Sequence, residues 1–339
     1  MKEAMFYTKM SDNKVRCDLC PHFCILNSGQ TGLCGVRKNI DGTLCSMVYE
    51  RAIAVHVDPI EKKPLFQVKP GSRSFSVATV GCNFKCKFCQ NSSISQIPAA
   101  IDVEKTGTAI TPEQVVQMAL NEKCESIAYT YTEPTIYFEY AYDISALAHE
   151  KGLLNVFVSN GYMNPEPLKK ISPFLDAANI DLKSFNDDFY KKYIGARLTP
   201  VLETMKLMKK LNIWLEVTTL IIPTLNDSNA ELQENAKFIA QELGTETPWH
   251  ISRFYPQYKM SEWEPTPVST LERARKIGLD AGLKYVYTGN VIGDEGESTF
   301  CYNCGKKIIH RYGFRLMGNH ITNMKCEYCG TKIDGIGLD

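Results

Sequence analysis

Cys82, Cys86 and Cys89 stand in a CxxxCxxC array within GCNFKCKFCQN, residues 81–91, and no fourth cysteine lies close by. Thiolates are soft ligands that favour iron–sulfur clusters, zinc and copper(I). Three of them on one tight loop can grip three corners of a cubane cluster and leave the fourth iron exchangeable. A structural zinc site normally takes four protein ligands, so an open set fits a reactive cluster better than a clamp. Zinc completed by a distant residue is the alternative.

Two other groups flank this trio. CYNCGKK and CEYCG place Cys301, Cys304, Cys326 and Cys329 in two CxxC knuckles, each second cysteine followed by glycine. That is zinc-ribbon or rubredoxin-like spacing, with zinc favoured over iron, and metal binding would contribute the folding energy of so small a module. His310 and His320 lie between the knuckles, outside a shell that four thiolates already complete. Near the start, CDLCPHFC and GLCGVR supply Cys17, Cys20, Cys24 and Cys34. Zinc and an auxiliary iron–sulfur cluster both suit that set, and the spacing does not choose between them. His22 reads as a solvated loop residue, and Cys45 and Cys124 as small buried hydrophobes.

The elements that must hold these groups follow from pattern. Between residues 73 and 288, β-rich runs alternate with helical stretches, which predicts repeated βα units around a parallel sheet. The strands are SFSVATV, SIAYTY, LLNVFVSN, AANIDL, IWLEVTTLII, WHISRF and KYVYTG. Helices are expected at PEQVVQMALNE, PTIYFEYAYDISALAHEKG, ELQENAKFIAQEL and TLERARKIGLDAG. In the second, Pro134 suits a first turn and Gly152 a left-handed end, while Ile136, Tyr140, Ile144 and Leu147 form one apolar stripe. The expected division is a Cys-rich segment over 1–70, an α/β partial barrel over 71–290 and a ribbon-like module over 291–339, with GNVIGDEGEST as linker.

Ligands of parallel βα folds gather at the carboxyl ends of strands. That rule selects the cysteine loop, Thr132 and Glu133, Ser159 and Asn160, Asp181 and Lys183, and Arg253. His250, inside an apolar strand, reads as a core residue. The charged stretch DPIEKKPL is either a solvated loop or part of the site.

Lys and Arg number 38, equal to Asp and Glu at 38, so no positive field argues for nucleic acid. The N-terminal residues MKEAMFYTKMSDNKVR contain no apolar run of signal length, and no stretch of about eighteen apolar residues occurs anywhere. A reducing cytoplasm and no membrane span are expected, so clustered cysteines read as metal ligands and not disulfides.

The trio in GCNFKCKFCQ resembles the signature of radical S-adenosylmethionine enzymes, whose fold is a partial (β/α) barrel. The resemblance implies that Cys82, Cys86 and Cys89 hold a [4Fe-4S] cluster whose open iron chelates S-adenosylmethionine. An electron then divides that cofactor into methionine and a 5′-deoxyadenosyl radical, which takes hydrogen from a substrate. Phe88 holds the place of an aromatic near adenine or cluster. Tyr131-Thr132-Glu133-Pro134 is similar to the GGEP of pyruvate formate-lyase activating enzymes, without its glycines. Ser159-Asn160-Gly161 and Asp181-Leu182-Lys183 resemble that branch's TNG and DLK, near methionine and ribose. Val158 replaces an aspartate there, so no monovalent cation is carried over. Arg253 lies on a strand that reaches ribose or substrate.

CDLCPHFC, GLCGVRKN, DPIEKKPLFQVKPGS, GCNFKCKFCQNSSISQ and YTYTEPTIYFE together resemble the radical enzymes of the AmmeMemoRadiSam system. This implies Memo-like and AMMECR-like partners, an electron donor such as flavodoxin or ferredoxin, and a substrate not fixed by the motifs. Activation of a glycyl-radical enzyme on a protein glycine is the enzymatic alternative. A metal-stabilised protein- or nucleic-acid-binding module is the alternative of another class.

Overall fold

An eight-stranded sheet whose strands follow one another in chain order forms the centre of the protein. The structure, a computed structural model, describes residues 1–97 and 101–339. We number the strands of this sheet β1 (Ala54–Pro59), β2 (Arg73–Ala78), β3 (Ser126–Tyr129), β4 (Leu154–Ser159), β5 (Ala177–Asp181), β6 (Trp214–Ile221), β7 (Trp249–Arg253) and β8 (Val286–Gly289). β2 to β8 are parallel, and β1 pairs antiparallel with β2 at the edge. The seven parallel strands are the seven expected. β1 was not anticipated.

The crossovers carry helices α1 (Pro112–Asn121), α2 (Phe138–Glu150), α3 (Pro165–Ile171), α4 (Leu198–Lys210), α5 (Asn229–Phe238) and α6 (Val268–Asp280). α1 starts at a capping box in which Thr111 and Gln114 satisfy each other's backbone N–H groups. Pro134 opens a short 3-10 turn that leads into α2, and Gly152 ends that crossover at φ +73°. Ile136, Tyr140 and Ile144 are buried and Leu147 is half-buried, as the stripe predicts.

The two faces of the sheet differ in chemistry. Phe75, Val77, Ile127, Tyr129, Phe157, Val217 and Trp249 belong to the apolar core shared with the helices. The alternate positions are small or polar: Ser76 pairs with Ala128, Asn179 with Glu216, and Thr218 with His250. Residues 60–68 lie across this inner face. Glu216 accepts the backbone N–H groups of Phe66 (3.0 Å) and Gln67 (2.8 Å), and Asn179 donates to the Pro64 carbonyl (2.8 Å). Gln67 reaches the Tyr287 hydroxyl at 2.9 Å. Ile60, Leu65 and Val68 pack on Ala128, Val156 and Ala177. DPIEKKPL is therefore not a solvated loop: Glu61 and Lys63 are each 1% exposed. His250 is a core residue, with Nε2 2.6 Å from Glu216.

A terminal antiparallel sheet of Thr299–Phe300, Lys307–Tyr312 and Arg315–Asn319 docks on the same segment. Its Arg311 is buried, donates to the Phe66 carbonyl (2.6 Å) and Thr299 (2.9 Å), and stands 3.5 Å from Glu61. Val68 also bridges to Ile336. GNVIGDEGEST, the expected linker, is fastened where the buried Glu297 accepts the N–H groups of Gly293 and Gly313 at 3.1 and 2.9 Å. At the other end, Arg37 forms a buried two-pronged pair with Glu139 of α2 at 2.9 and 3.0 Å, tying the N-terminal hairpins to the helix layer.

Candidate active site and metal centres

β2 delivers the chain into the cysteine loop through Gly81, at φ +97°. A Cβ there would meet Val36 Cγ1 at 2.7 Å and the Cys34 carbonyl at 2.8 Å, so only glycine lets the N-terminal segment approach so closely. Within the loop, the Phe84 N–H donates to Cys82 Sγ at 3.3 Å and Ser95 lies 3.1 Å from Cys89 Sγ. Burial pushes the Cys82 thiol well above its ordinary pKa, with the charge of Glu133 adding to it. Burial likewise pushes Cys86 up to about 12, although nearby Lys183 opposes this. Such thiols are protonated when alone. A bound cationic centre inverts that preference and holds them as thiolates, so this donor set fits a metal cluster.

The neighbouring strand ends meet at Glu133. Its carboxylate is buried and accepts from the Thr135 N–H (3.0 Å), Thr135 Oγ1 (2.6 Å), Ser159 Oγ (2.7 Å) and the Asn160 N–H (2.8 Å). The acid thus ties the end of β3 to the end of β4. Burial raises its pKa, against these donors. Thr132 is fastened to the Thr79 carbonyl at 2.8 Å. Asn160 donates to Asn83 at 2.8 Å and lies 3.8 Å from Cys82 Sγ.

Asp181, the last residue of β5, and Lys183 form an ion pair of 3.0 Å, and the ammonium stands 6.0 Å from the centre of the Phe88 ring. Phe88 is buried and faces Phe189, with ring centres 6.0 Å apart. The contacts thus bring the cysteine loop, Phe88, Glu133, Asn160 and Lys183 together. Arg253 is held elsewhere: Nε donates to the Thr266 carbonyl at 2.7 Å and one terminal nitrogen to Tyr255 at 3.1 Å.

Other participants lie within the quoted stretches but were not expected as site residues. Asn83 links Asn160 to the Tyr162 carbonyl, which it reaches at 3.0 Å. Asn91 donates to the Tyr131 carbonyl at 2.8 Å, and Tyr131 holds φ +63°, an uncommon conformation for a bulky residue. The Tyr131 hydroxyl donates to Asp58, which also accepts from Lys62 (2.8 Å), Lys63 (2.6 Å) and Ser76 (2.8 Å). Burial lowers Lys63 to about 8, against the pull of Asp58. The nearest sequence signals were the charge cluster in DPIEKKPL and the tyrosine beside TEP.

The terminal quartet is tight. Cys301 and Cys329 sulfurs are 3.6 Å apart and those of Cys304 and Cys326 3.8 Å, and all four lie within 4.8 Å of one another. Tetrahedral coordination with bonds of about 2.3 Å puts sulfurs about 3.8 Å apart, so the quartet can hold a single metal ion. His310 and His320 are exposed, and His320 pairs with Glu327 at 3.2 Å. In the N-terminal quartet, Cys17, Cys20, Cys24 and Cys34 line one cavity with His22, which is half-buried with Nε2 2.8 Å from the Asn83 carbonyl and not a solvated loop residue.

Comparison with known proteins bears on the fold that carries these residues. The Radical SAM superfamily profile matches residues 76–239. The uncharacterized protein MJ0808 of Methanocaldococcus jannaschii is 50% identical over 98% of this chain and 99% of its own length. The pyruvate formate-lyase-activating enzyme of Clostridium pasteurianum is 22% identical over 63% of this chain and 91% of its own. Among solved structures, Streptococcus suis SuiB bound to S-adenosylmethionine shares the fold, with a TM-score of 0.51 and 11% identity over 68% of this chain and 53% of that one. No helix among the described residues is long and apolar enough to cross a membrane. The chain carries a Radical SAM superfamily domain over residues 76–239, folded as a partial α/β barrel, and a terminal four-cysteine cluster that can hold a metal.

Proposed function

We propose that the protein is a radical S-adenosylmethionine oxidoreductase in which Cys82, Cys86 and Cys89 hold a [4Fe-4S] cluster. The single observation that carries this is the three-thiol loop at the strand ends, joined through Asn160 to the Glu133 staple. When bound, the cluster supplies the electron that divides S-adenosylmethionine into methionine and a 5′-deoxyadenosyl radical.

The chain's own residues place and shield the reactants. Ser159 and Asn160 present a strand-end surface fixed by Glu133, Thr132 stands beside them on the Thr79 carbonyl, Asp181 and Lys183 offer charges for the methionine and ribose, and Phe88 contributes an apolar wall. Arg253 is the more remote substrate contact. Residues 60–68, closing the sheet's inner face, keep water from the reaction space.

The motif combination supports membership of the AmmeMemoRadiSam system, with Memo-like and AMMECR-like partners and a flavodoxin or ferredoxin as electron donor. We place the protein in the cytoplasm, divide it at residues 70 and 290, and assign zinc to the terminal quartet. Relatives named as glycyl-radical activating enzymes support a second reading, hydrogen abstraction from a protein glycine.

The test is anaerobic reconstitution followed by reductant and S-adenosylmethionine. Formation of 5′-deoxyadenosine is expected. Its absence from protein with an intact, reducible cluster would overturn the reading. A glycine-centred radical signal on an added partner would select the activating reaction.

A further inference from the structure

We propose that the crevice between β8 and the terminal metal module is a second ligand site, which takes a flat ring carrying an anionic group, as a mononucleotide or an aryl carboxylate does. Its volume is about 510 Å³, within the roughly 300–1,000 Å³ of pockets that hold small organic molecules. α6 supplies Arg275 and Leu279 to its walls, and the approach to β8 supplies Lys284. The first cysteine knuckle and the strand entering it supply Phe300, Cys301 and Tyr302.

The crevice lies at the opposite end of the sheet from the cysteine trio. Lys284 and Tyr285 immediately precede β8, whereas Cys82, Cys86 and Cys89 follow β2, and these two strands belong to one parallel set. Its occupant is therefore neither S-adenosylmethionine nor the molecule that the radical attacks.

Arg275 is the partner for the anion. Its Nε donates to the Val286 carbonyl at 3.1 Å, its one hydrogen bond among the described residues. That bond fixes the plane of the guanidinium and leaves the two terminal nitrogens for a ligand. A fork held in this way matches two oxygens of a carboxylate or phosphate. The other charges on the wall are already paired, Lys284 with Asp334 at 2.9 Å and Glu295 with Lys307 at 3.3 Å. Arg275 is thus the charge of the crevice that lacks a counter-ion among the described residues, and it is partly buried, where solvent screens it less.

The ring has walls to meet. The Arg275 guanidinium carbon is 6.0 Å from the centre of the Phe300 ring, which sets the anion's seat beside an aromatic face. Tyr302 is held by its hydroxyl on the Lys332 carbonyl at 3.0 Å and by the Lys284 ammonium 4.5 Å from its ring centre, yet it stays 43% exposed. Leu279 is 41% exposed on the same crevice. A flat ring would cover this apolar surface and remove it from water.

Calorimetric titration of the full, metal-loaded chain tests this, with guanosine 5′-monophosphate, 4-hydroxybenzoate, guanosine and inorganic phosphate as probes. At least one of the two ring-bearing anions should bind one per chain, and which of them binds distinguishes nucleotide from aryl acid. Guanosine and phosphate, each lacking one of the two features, should bind about tenfold more weakly or worse. Arg275→Met and Arg275→Lys should each weaken binding about tenfold or more, since lysine keeps the charge and loses the fork, with the yield of 5′-deoxyadenosine unchanged. In wild-type protein, hydrogen exchange with the probe bound should slow at residues 275–287 and 300–305. No heat from either ring-bearing anion at millimolar concentration, affinity indifferent to Arg275, or protection at 82–89 and 131–133 instead would each overturn the proposal. Protein that binds the probe at Arg275 and forms no 5′-deoxyadenosine would sink the enzymatic reading and leave this site standing.

Discussion

The backbone N–H of Asn160 donates to Glu133 at 2.8 Å, which joins the ends of two adjacent parallel strands through one buried carboxylate. Ser159 and Thr135 share the same group. Glu133 therefore acts first as a staple, and the surface it fixes carries Asn160, which touches both Asn83 and Cys82.

Replacing Glu133 by alanine should leave four donors unmatched and cost about 3 kcal/mol of stability, since a buried donor without an acceptor costs about 1–3 kcal/mol. Urea unfolding of the reconstituted protein measures the loss. Calorimetric titration with S-adenosylmethionine should show weakened binding. Unchanged stability together with unchanged affinity would refute the staple.

Cys86→Ala removes one ligand of the central trio and leaves the sheet register untouched. Iron should fall well below that of wild type, with no 5′-deoxyadenosine formed, while the far-ultraviolet circular dichroism stays that of wild type. Turnover by this variant would remove the trio from the chemistry.

Asp58 and Lys63 give a dependence on pH. Burial alone would raise the Asp58 carboxyl, but hydrogen bonds from Lys62, Lys63 and Tyr131 outweigh it and hold it well below the ordinary value of 3.8. Its contribution is present above that value and lost as pH falls below it. Lys63, lowered to about 8 from 10.5, releases its proton in the native state while the unfolded chain keeps it. Stability should therefore gain from this group as pH rises from about 8 to 10.5. Lys63→Met removes the buried one of the two ammonium partners of Asp58 and leaves Lys62, Ser76 and Tyr131 in place, with an expected cost of about 1–3 kcal/mol at neutral pH. Unfolding midpoints at pH 7, 9 and 10 should show the alkaline gain in wild type and not in the variant.

Stripping the terminal metal should loosen more than the terminal sheet. Arg311 anchors that sheet to Phe66 and Glu61, so hydrogen exchange is expected to quicken in residues 60–68 as well as in 299–333. Chelation, or Cys304→Ser, followed by exchange mass spectrometry provides the comparison. Protection unchanged at 60–68 would show that the two regions are independent.

Local pattern made the parallel strands legible, because β-branched and aromatic runs such as WLEVTTLI report their own conformation. It also located Cys82, Glu133 and Asn160, since each stands just beyond or at the end of a strand. The edge strand AVHVDP escaped because it pairs antiparallel outside the βα alternation and ends in proline. The sequence left open whether DPIEKKPL was solvated, because the burial of Glu61 depends on Arg311, 250 residues away. His22 was misjudged for the same reason, its partner Asn83 lying 61 residues downstream. Cysteine spacing along the chain likewise does not disclose how far apart the sulfurs stand.

Arg311 grips the carbonyl of Phe66 across 245 residues of sequence. Contacts of such high order are slow to form, because a long stretch of chain must be ordered before they reward it. The plug on the barrel's interior and the terminal sheet share one apolar cluster, Phe66 with Tyr287, Ile308 and Ile309, so the two ends of the chain close the molecule jointly.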